Sequence, residues 1–204
     1  MTERGTMGTA RLEAFSDGVL AILITIMVLQ LHTPAGTSWH ALEHELPVLL
    51  AYVLSFVYLG IYWNNHHHML AAVSRVSGAT LWANLHLLFW LSLVPFTTAW
   101  MSEHHFPSIP TATYGVVLLA AAIAYYILQT TLLHAEGEQS RLRPALGSDL
   151  KGKISPLLYC LGIGVAFADR WIGLAVYVAV ALMWLVPDRR VERHLTALRT
   201  EPTD

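Results

Sequence analysis

Apolar residues in this chain are gathered into long runs, and polar connectors separate each run from the next. The first run, from Val19 to Leu29, is broken only by Thr25 and directly follows the polar residues Ser16 and Asp17. Runs of this length are typical of helices that cross the hydrocarbon core of a bilayer. The pattern predicts an all-α integral membrane protein with six spans, at about residues 15–31, 46–63, 79–101, 111–133, 156–168 and 171–186.

The last two runs are shorter than the usual span of about 17 to 25 residues and could instead form one broken, buried segment. The basic residues decide between these alternatives. With six spans and both termini in the cytoplasm, every lysine and arginine except Arg170 lies on the inner side, as the positive-inside rule expects. We therefore predict one multi-pass domain over residues 1–204, in the plasma membrane, with a tight outer turn at Asp169 and Arg170.

Local signals add detail to this layout. Pro47 is expected in the first turn of the second span, where its missing N–H does least harm. A polar connector is predicted over residues 64–78. We expect the first run to be an uncleaved span rather than a signal peptide, because Asp17 precedes it and no small-residue cleavage site follows.

Composition agrees with a membrane protein and argues against several other classes. Hydrophobic residues make up 55% and charged residues 13% of the 204, with a mean hydropathy of +0.50, which exceeds the needs of one soluble core. A net charge of -2 does not indicate a nucleic-acid partner, which would favour a basic protein. Cys160 is the single cysteine, so a disulfide within the chain is excluded. No phosphate loop, nucleophile elbow or zinc-protease motif is present, so we expect neither an enzyme nor a cofactor.

Asp17 is the polar residue whose position is most unusual. A carboxylate at membrane depth is costly, so it is expected to have a partner. Asp17 either complements the N-terminus of the first helix or pairs with a histidine of another helix, and the two interpretations are compatible.

Three consecutive histidines, His66, His67 and His68, follow the second run. On a helix they would point in three directions, which disfavours a metal site. A pH-sensing role stays open because histidine titrates near neutrality. We favour hydrogen bonds between helices for one or two of the rings. We expect His86 to be a buried histidine whose ring nitrogens have hydrogen-bond partners within the protein.

Arg11, three further residues and then Phe15-Ser16-Asp17 resemble a known signature. It is the RxxxFSD motif that opens the first span in the prokaryotic branch of the transmembrane protein 175 family of potassium-permeable channels. The end of the second run is similar to that family's Trp-x-x-His element. The resemblance implies a structural network that holds the first helix, made by Arg11, Phe15, Ser16, Asp17, Trp63, His66 and His67.

The resemblance also implies a homotetramer in membrane lipid, whose first helices line a central pore for potassium and other monovalent cations. It places the family's constriction at Ile22, further apolar rings at Ile26 and Leu29, and the hydroxyl that tunes potassium preference at Thr25. At about 100° per residue these positions share one stripe of a helix, whereas Asp17 lies about 140° from Ile22, toward the packing side. Because nearly the whole run is apolar, periodicity alone does not select this stripe.

The expected function is passive, weakly potassium-selective cation permeation through a hydrophobic constriction. No segment resembles the carbonyl-lined filter loop of other potassium channels, so a narrow apolar throat would have to bar ions by denying them hydration. The alternative is a proton-coupled transporter that uses Asp17 and the histidines as a relay. Against it, the sequence lacks the paired interrupted segments typical of inverted-repeat transporters.

Overall fold

The structure, a computed structural model, describes residues 9–137 and 150–185. Within these two ranges the chain is helical and contains no strand, which confirms the all-α prediction. The described helices are α1 (Thr9–Leu29), α2 (Trp39–Ala71), α3 (Gly78–Ser92), α4 (Val94–Glu103), α5 (Ser108–Glu136), α6 (Leu150–Val165) and α7 (Arg170–Leu185).

Among the described residues, four helical segments are long and apolar enough to cross a membrane: α1, α2, α5, and α3 together with α4. The other two helices have 16 residues each. At 1.5 Å per residue each spans about 24 Å, somewhat less than a hydrocarbon core of about 30 Å. They run antiparallel on either side of the turn at residues 166–169, where the sequence predicts a hairpin.

The second span is longer at both ends than its apolar run. Ser38 caps the start of α2, where its side chain accepts a hydrogen bond from the N–H of Ala41 at 3.2 Å. Because this cap begins the helix at Trp39, the acidic segment before the apolar run is helical. Pro47 therefore lies inside α2, and its prediction in the first turn is wrong.

The polar connector predicted over residues 64–78 is also mostly wrong. Helix α2 continues to Ala71, because polar side chains at its end find partners on α1, α3 and α2 itself. The true connection is residues 72–77, and α3 begins with a capping box between Ser77 and Thr80. The histidines thus occupy a helix and not a loop.

The third span is interrupted at Leu93, where α3 ends and α4 begins. Pro95 stands in the first turn of α4, where a missing N–H is tolerated. The hydroxyls of Thr97 and Thr98 donate to the carbonyls of Leu93 and Val94, at 3.1 and 2.7 Å. Threonines on α4 itself therefore satisfy backbone carbonyls around this break.

Glu136, at the end of α5, joins that helix to the connection between α2 and α3. Its Oε1 accepts hydrogen bonds from the N–H of Ser74 at 2.5 Å, the hydroxyl of Ser74 at 3.0 Å and the N–H of Arg75 at 2.9 Å. Three donors on one carboxylate oxygen give this connection a fixed position beside α5.

The ring of Tyr177 is the centre of the packing between α5, α6 and α7. It is fully buried and fills space left by Gly115 on α5 and Gly162 on α6. A Cβ at Gly162 would lie 2.5 Å from Cε1 of Tyr177, whereas a Cβ at Gly164 would meet nothing within 4 Å. Small residues therefore allow α6 to approach its neighbours closely.

We expect Gly162→Ala to destabilise the protein by about 1–3 kcal/mol, because the added methyl group overpacks the Tyr177 ring. The matched control is Gly164→Ala, which adds the same methyl group to the same helix in open space. The measurement is the midpoint of thermal unfolding of both variants in one detergent. Equal midpoints for the two variants would contradict this account of the packing.

Candidate functional site

Helix α1 has two distinct faces within the subunit. Leu20, Leu23 and Met27 are buried against neighbouring helices, with at most 6% of their surface exposed. Ile22 and Leu29, on the opposite face, are 58% and 82% exposed. The aliphatic stripe predicted from the resemblance is thus the side of α1 that no part of the described subunit covers.

Thr25 lies on the same open face of α1. Its hydroxyl donates to the carbonyl of Ile22 at 2.9 Å, one turn back along the helix. This bond uses the single proton of the hydroxyl, so the oxygen presents its lone pairs outward. The open face therefore carries an oxygen acceptor, from Thr25, next to the aliphatic side chain of the half-exposed Ile26.

A chain of buried hydrogen bonds holds the packed face of α1. Ser16 donates its hydroxyl to the carbonyl of Leu12 at 2.8 Å, and its oxygen accepts the side-chain amide of Asn84 on α3 at 3.0 Å. The carbonyl oxygen of Asn84 then lies 2.7 Å from Nε2 of His66 on α2. Because Asn84 can only accept at that oxygen, Nε2 of His66 carries the proton. The chain joins α1, α2 and α3 at one point.

A second pair of contacts lies beside this chain, at the exposed edge of the packed face. The indole N–H of Trp63 donates to Oδ1 of Asp17 at 3.0 Å. Nδ1 of His67 lies 2.6 Å from Oε1 of Glu13, one turn before Asp17. The rings of Trp63 and His67 are stacked, with centroids 6.3 Å apart. Two residues of α1 are thus tied to two residues of α2.

These contacts place Asp17 and Trp63 together, as expected of two members of the predicted network, and correct both of the other interpretations of Asp17. Helix α1 begins at Thr9, so Asp17 lies past its second turn and does not complement the N-terminus. Its partner is the indole of Trp63 and not a histidine, since His66 bonds Asn84 and His67 bonds Glu13. Hydrogen bonding between helices was the preferred interpretation of the histidines, and it describes His66 and His67 correctly.

The remaining candidate residues stand outside this network in the subunit. Arg11 and Phe15 are exposed, and within the described ranges Arg11 has no hydrogen bond or ion pair. Their membership of the network therefore stays a prediction. His86 is exposed on α3 and accepts the indole N–H of Trp90 at 2.9 Å, so the prediction of a core histidine is wrong.

Histidines and acids do not converge on a metal site in the part of the chain that the structure describes. Two residues of the network, Asn84 and Glu13, were not assigned to it from the sequence. Asn84 is a polar side chain inside an apolar run, and Glu13 lies four residues before Asp17 on the same side of α1. Both features are visible in the sequence, but neither shows which residue of another helix forms the hydrogen bond.

Comparison with known proteins agrees with this arrangement. A family model described as "Endosomal/lysosomal potassium channel TMEM175" matches residues 11–95, which include the whole polar network and all of α1 except its first two residues. A protein of Chryseobacterium sp. (strain P1-3), named potassium channel, is 54% identical over 189 residues, covering 93% of this chain and 98% of that protein. Another so named, from Streptomyces collinus (strain DSM 40733 / Tue 365), is 34% identical over 195 residues, covering 86% and 91%.

The fold is also similar to a crystal structure of a lysosomal potassium-selective channel TMEM175 homolog from Chamaesiphon minutus. The TM-score is 0.74 at 30% identity, and the match covers 87% of this chain and 96% of that chain. Fold, site and relatives together define a multi-pass, all-helical membrane protein of the ion-channel class, and not an enzyme. The chain belongs to the TMEM175 family.

We expect Asn84→Ala to destabilise the subunit by about 1–3 kcal/mol, because it leaves His66 and the Ser16 oxygen buried without partners. Asn64→Ala is the matched control, since Asn64 is exposed on α2 and has no hydrogen bond within the described subunit. Thermal unfolding of the two variants in the same detergent measures the difference. Indistinguishable midpoints would show that the buried chain does not stabilise the fold.

Proposed function

We propose that this protein is a passive cation channel with weak preference for potassium, and that α1 lines its pore. The observation that carries the proposal is the open aliphatic face of α1, with Ile22, Ile26 and Leu29 at 42–82% exposure, opposite the polar contacts. In a membrane such a face meets either lipid or the corresponding face of another subunit. Relatives of nearly full length that are named potassium channels favour a pore over a plain lipid contact.

The proposed assembly is a homotetramer in membrane lipid, with four α1 helices around a shared axis. Ile22 forms the constriction, and Ile26 and Leu29 form further apolar rings. The network on the packed face sets the rotation of α1, so the stripe faces the axis. The match to the Chamaesiphon minutus channel over 96% of its chain supports a subunit of the same extent.

Permeation through such a throat depends on hydration. An ion that enters a narrow ring of four isoleucines loses water without gaining ligands, so a closed ring bars it. A small rotation or separation of the α1 helices readmits water. Potassium holds its water less tightly than sodium, so the cost at the ring is lower for potassium. The outward lone pairs of Thr25 offer a partial substitute for water.

The proposed orientation places both termini in the cytoplasm of a cell whose plasma membrane holds the channel. Arg75, Lys151 and Lys153 lie at the helix ends that this orientation puts inside, and Arg170 begins α7 at the other side. The described basic residues therefore follow the positive-inside rule with one exception.

A proton relay through Asp17 is disfavoured by its partner. The indole N–H of Trp63 does not ionise at physiological pH, and no histidine forms a hydrogen bond with Asp17 in the described subunit. Saturable flux that requires a pH gradient, without single-channel events, would favour the transporter instead.

Purified protein in planar bilayers tests the proposal directly. We expect potassium currents in a potassium-against-sodium gradient, with a reversal potential that favours potassium. Ile22→Asn should raise the current several-fold and move the potassium-to-sodium permeability ratio toward one, because the amide hydrates the throat. The control is Ile123→Asn, an exposed isoleucine on α5. Unchanged currents and ratios in Ile22→Asn, with the protein intact, would refute the pore assignment.

A further inference from the structure

A cavity of about 370 Å³ lies at the end of the subunit opposite the polar network of α1. It opens between the chain that follows α1, the first turns of α2 and the end of α4. Its wall holds a concentration of titratable side chains that the proposed pore does not use. They are His32, His44, Glu45, Glu103 and His105, with Pro47, Val48 and Ser102 between them.

The wall is built from fixed parts of the fold. Nδ1 of His32 lies 4.0 Å from Oε2 of Glu45, which joins the end of α1 to α2. His105 and Phe106 both have φ of 59° and turn the chain sharply after α4. Phe106 holds this turn, because its N–H donates to the carbonyl of Met101 at 2.8 Å and its ring is buried. The turn directs the chain so that His105 borders the cavity.

We propose that this cavity is a vestibule that concentrates hydrated monovalent cations at the mouth of the pore, and that protons switch this effect off. The inference rests on the proposed function, because His32 lies three residues beyond Leu29, after the end of the helix that lines the proposed pore. With neutral histidines the five lining groups carry a charge of -2 per subunit. With all three histidines protonated the charge is +1, which repels cations instead of attracting them.

Other charged groups near the cavity do not change the direction of this switch. His40 and Glu43 are exposed on the first turn and a half of α2, and His104 is exposed after α4. Asp169 and Arg170 stand at the start of α7, whose Trp171 contacts the Phe106 ring, and their charges cancel. The last two turns of α1 and the first two of α5 carry no titratable side chain except Tyr114. Protonation of His40 and His104 adds positive charge, in the same direction.

The test is side-specific recording of potassium current from the full-length channel in a bilayer. At 0.1 M KCl we expect a fall from about pH 8 to about pH 5 on the vestibule side to reduce current entering from that side at least threefold. The same change on the opposite side should have little effect. In 1 M KCl the loss should nearly vanish, because the Debye length shrinks from about 10 Å to about 3 Å.

Substitutions of the lining residues test which side chains cause the dependence on pH and salt. The triple variant His32→Gln, His44→Gln and His105→Asn should keep most of its current at pH 5, with the small remaining loss due to His40 and His104. Asparagine replaces His105 because it tolerates positive φ. Glu45→Gln with Glu103→Gln should lower the current at pH 8 in 0.1 M KCl and leave it unchanged in 1 M KCl. His134→Gln, at the opposite end of α5, is the control for loss of a histidine and should behave as wild type.

The two proposals fail differently. Absence of potassium current at pH 8, or current indifferent to Ile22→Asn, overturns the proposed function. Normal current that Ile22→Asn alters, but with no side-specific dependence on pH and salt, overturns the vestibule alone. A pH dependence as large in the triple histidine variant as in the wild type also overturns the vestibule, because the lining histidines then do not cause it.

Discussion

The buried hydrogen bonds that join Ser16, Asn84 and His66 are the constraint on which the rest of the structure depends. An apolar helix among other apolar helices has little to fix its rotation, because lipid and neighbouring side chains are chemically alike. A polar group buried in such a setting must find its partner, so it permits one rotation and penalises others. Ser16 supplies that constraint for α1 and receives both its partners inside the subunit.

The second pair of contacts extends this constraint along the helix. Glu13 and Asp17 lie one turn apart and meet His67 and Trp63 on α2. Together with Ser16 they hold about two turns of α1 by polar contacts, and leave the following three turns to pack by shape alone. The polar half therefore orients α1, and under the proposed function the aliphatic half is the part whose small movement opens the pore. A channel whose opening needs only a small movement of its wall can use this division.

The opposite ends of α1 have different electrostatic surroundings. At its beginning Glu13 and Asp17 bond to residues of α2, whereas Arg11 is exposed and unpaired in the described subunit; beyond its end charged side chains line an open cavity. Paired charges in partial burial hold structure, whereas exposed carboxylates beside a pore act on ions at a distance. The same residue types thus have separate roles that burial and partners distinguish.

The sequence was sufficient to predict where helices occur, but not the break at Leu93 or the ends and partners of the helices. Run length located α1 and α5, since an apolar segment of that size has one stable form in a bilayer. The length of the second apolar run wrongly predicted Pro47 in a first turn and residues 64–68 in a connector. Helix α2 is longer than the run, because Ser38 caps an earlier start and the tertiary partners of the histidines extend its end. Periodicity could not choose a face for α1, where nearly every residue is apolar. The hydrogen bond from Asn84 to Ser16 determines which face of α1 is packed. The two residues are 68 positions apart in the sequence, so a local pattern does not reveal this contact.

The most direct test of the central claim is the pattern of cysteine reactivity along α1. In a background of Cys160→Ala, which removes the exposed native thiol, single cysteines replace Ile22 and its buried neighbour Leu23. Each variant is treated with a positively charged thiol reagent while potassium current is recorded. The account predicts that Ile22→Cys is blocked at least about tenfold faster than Leu23→Cys, because only the former faces water in the open pore. Equal rates, or faster block of Leu23→Cys, would contradict it.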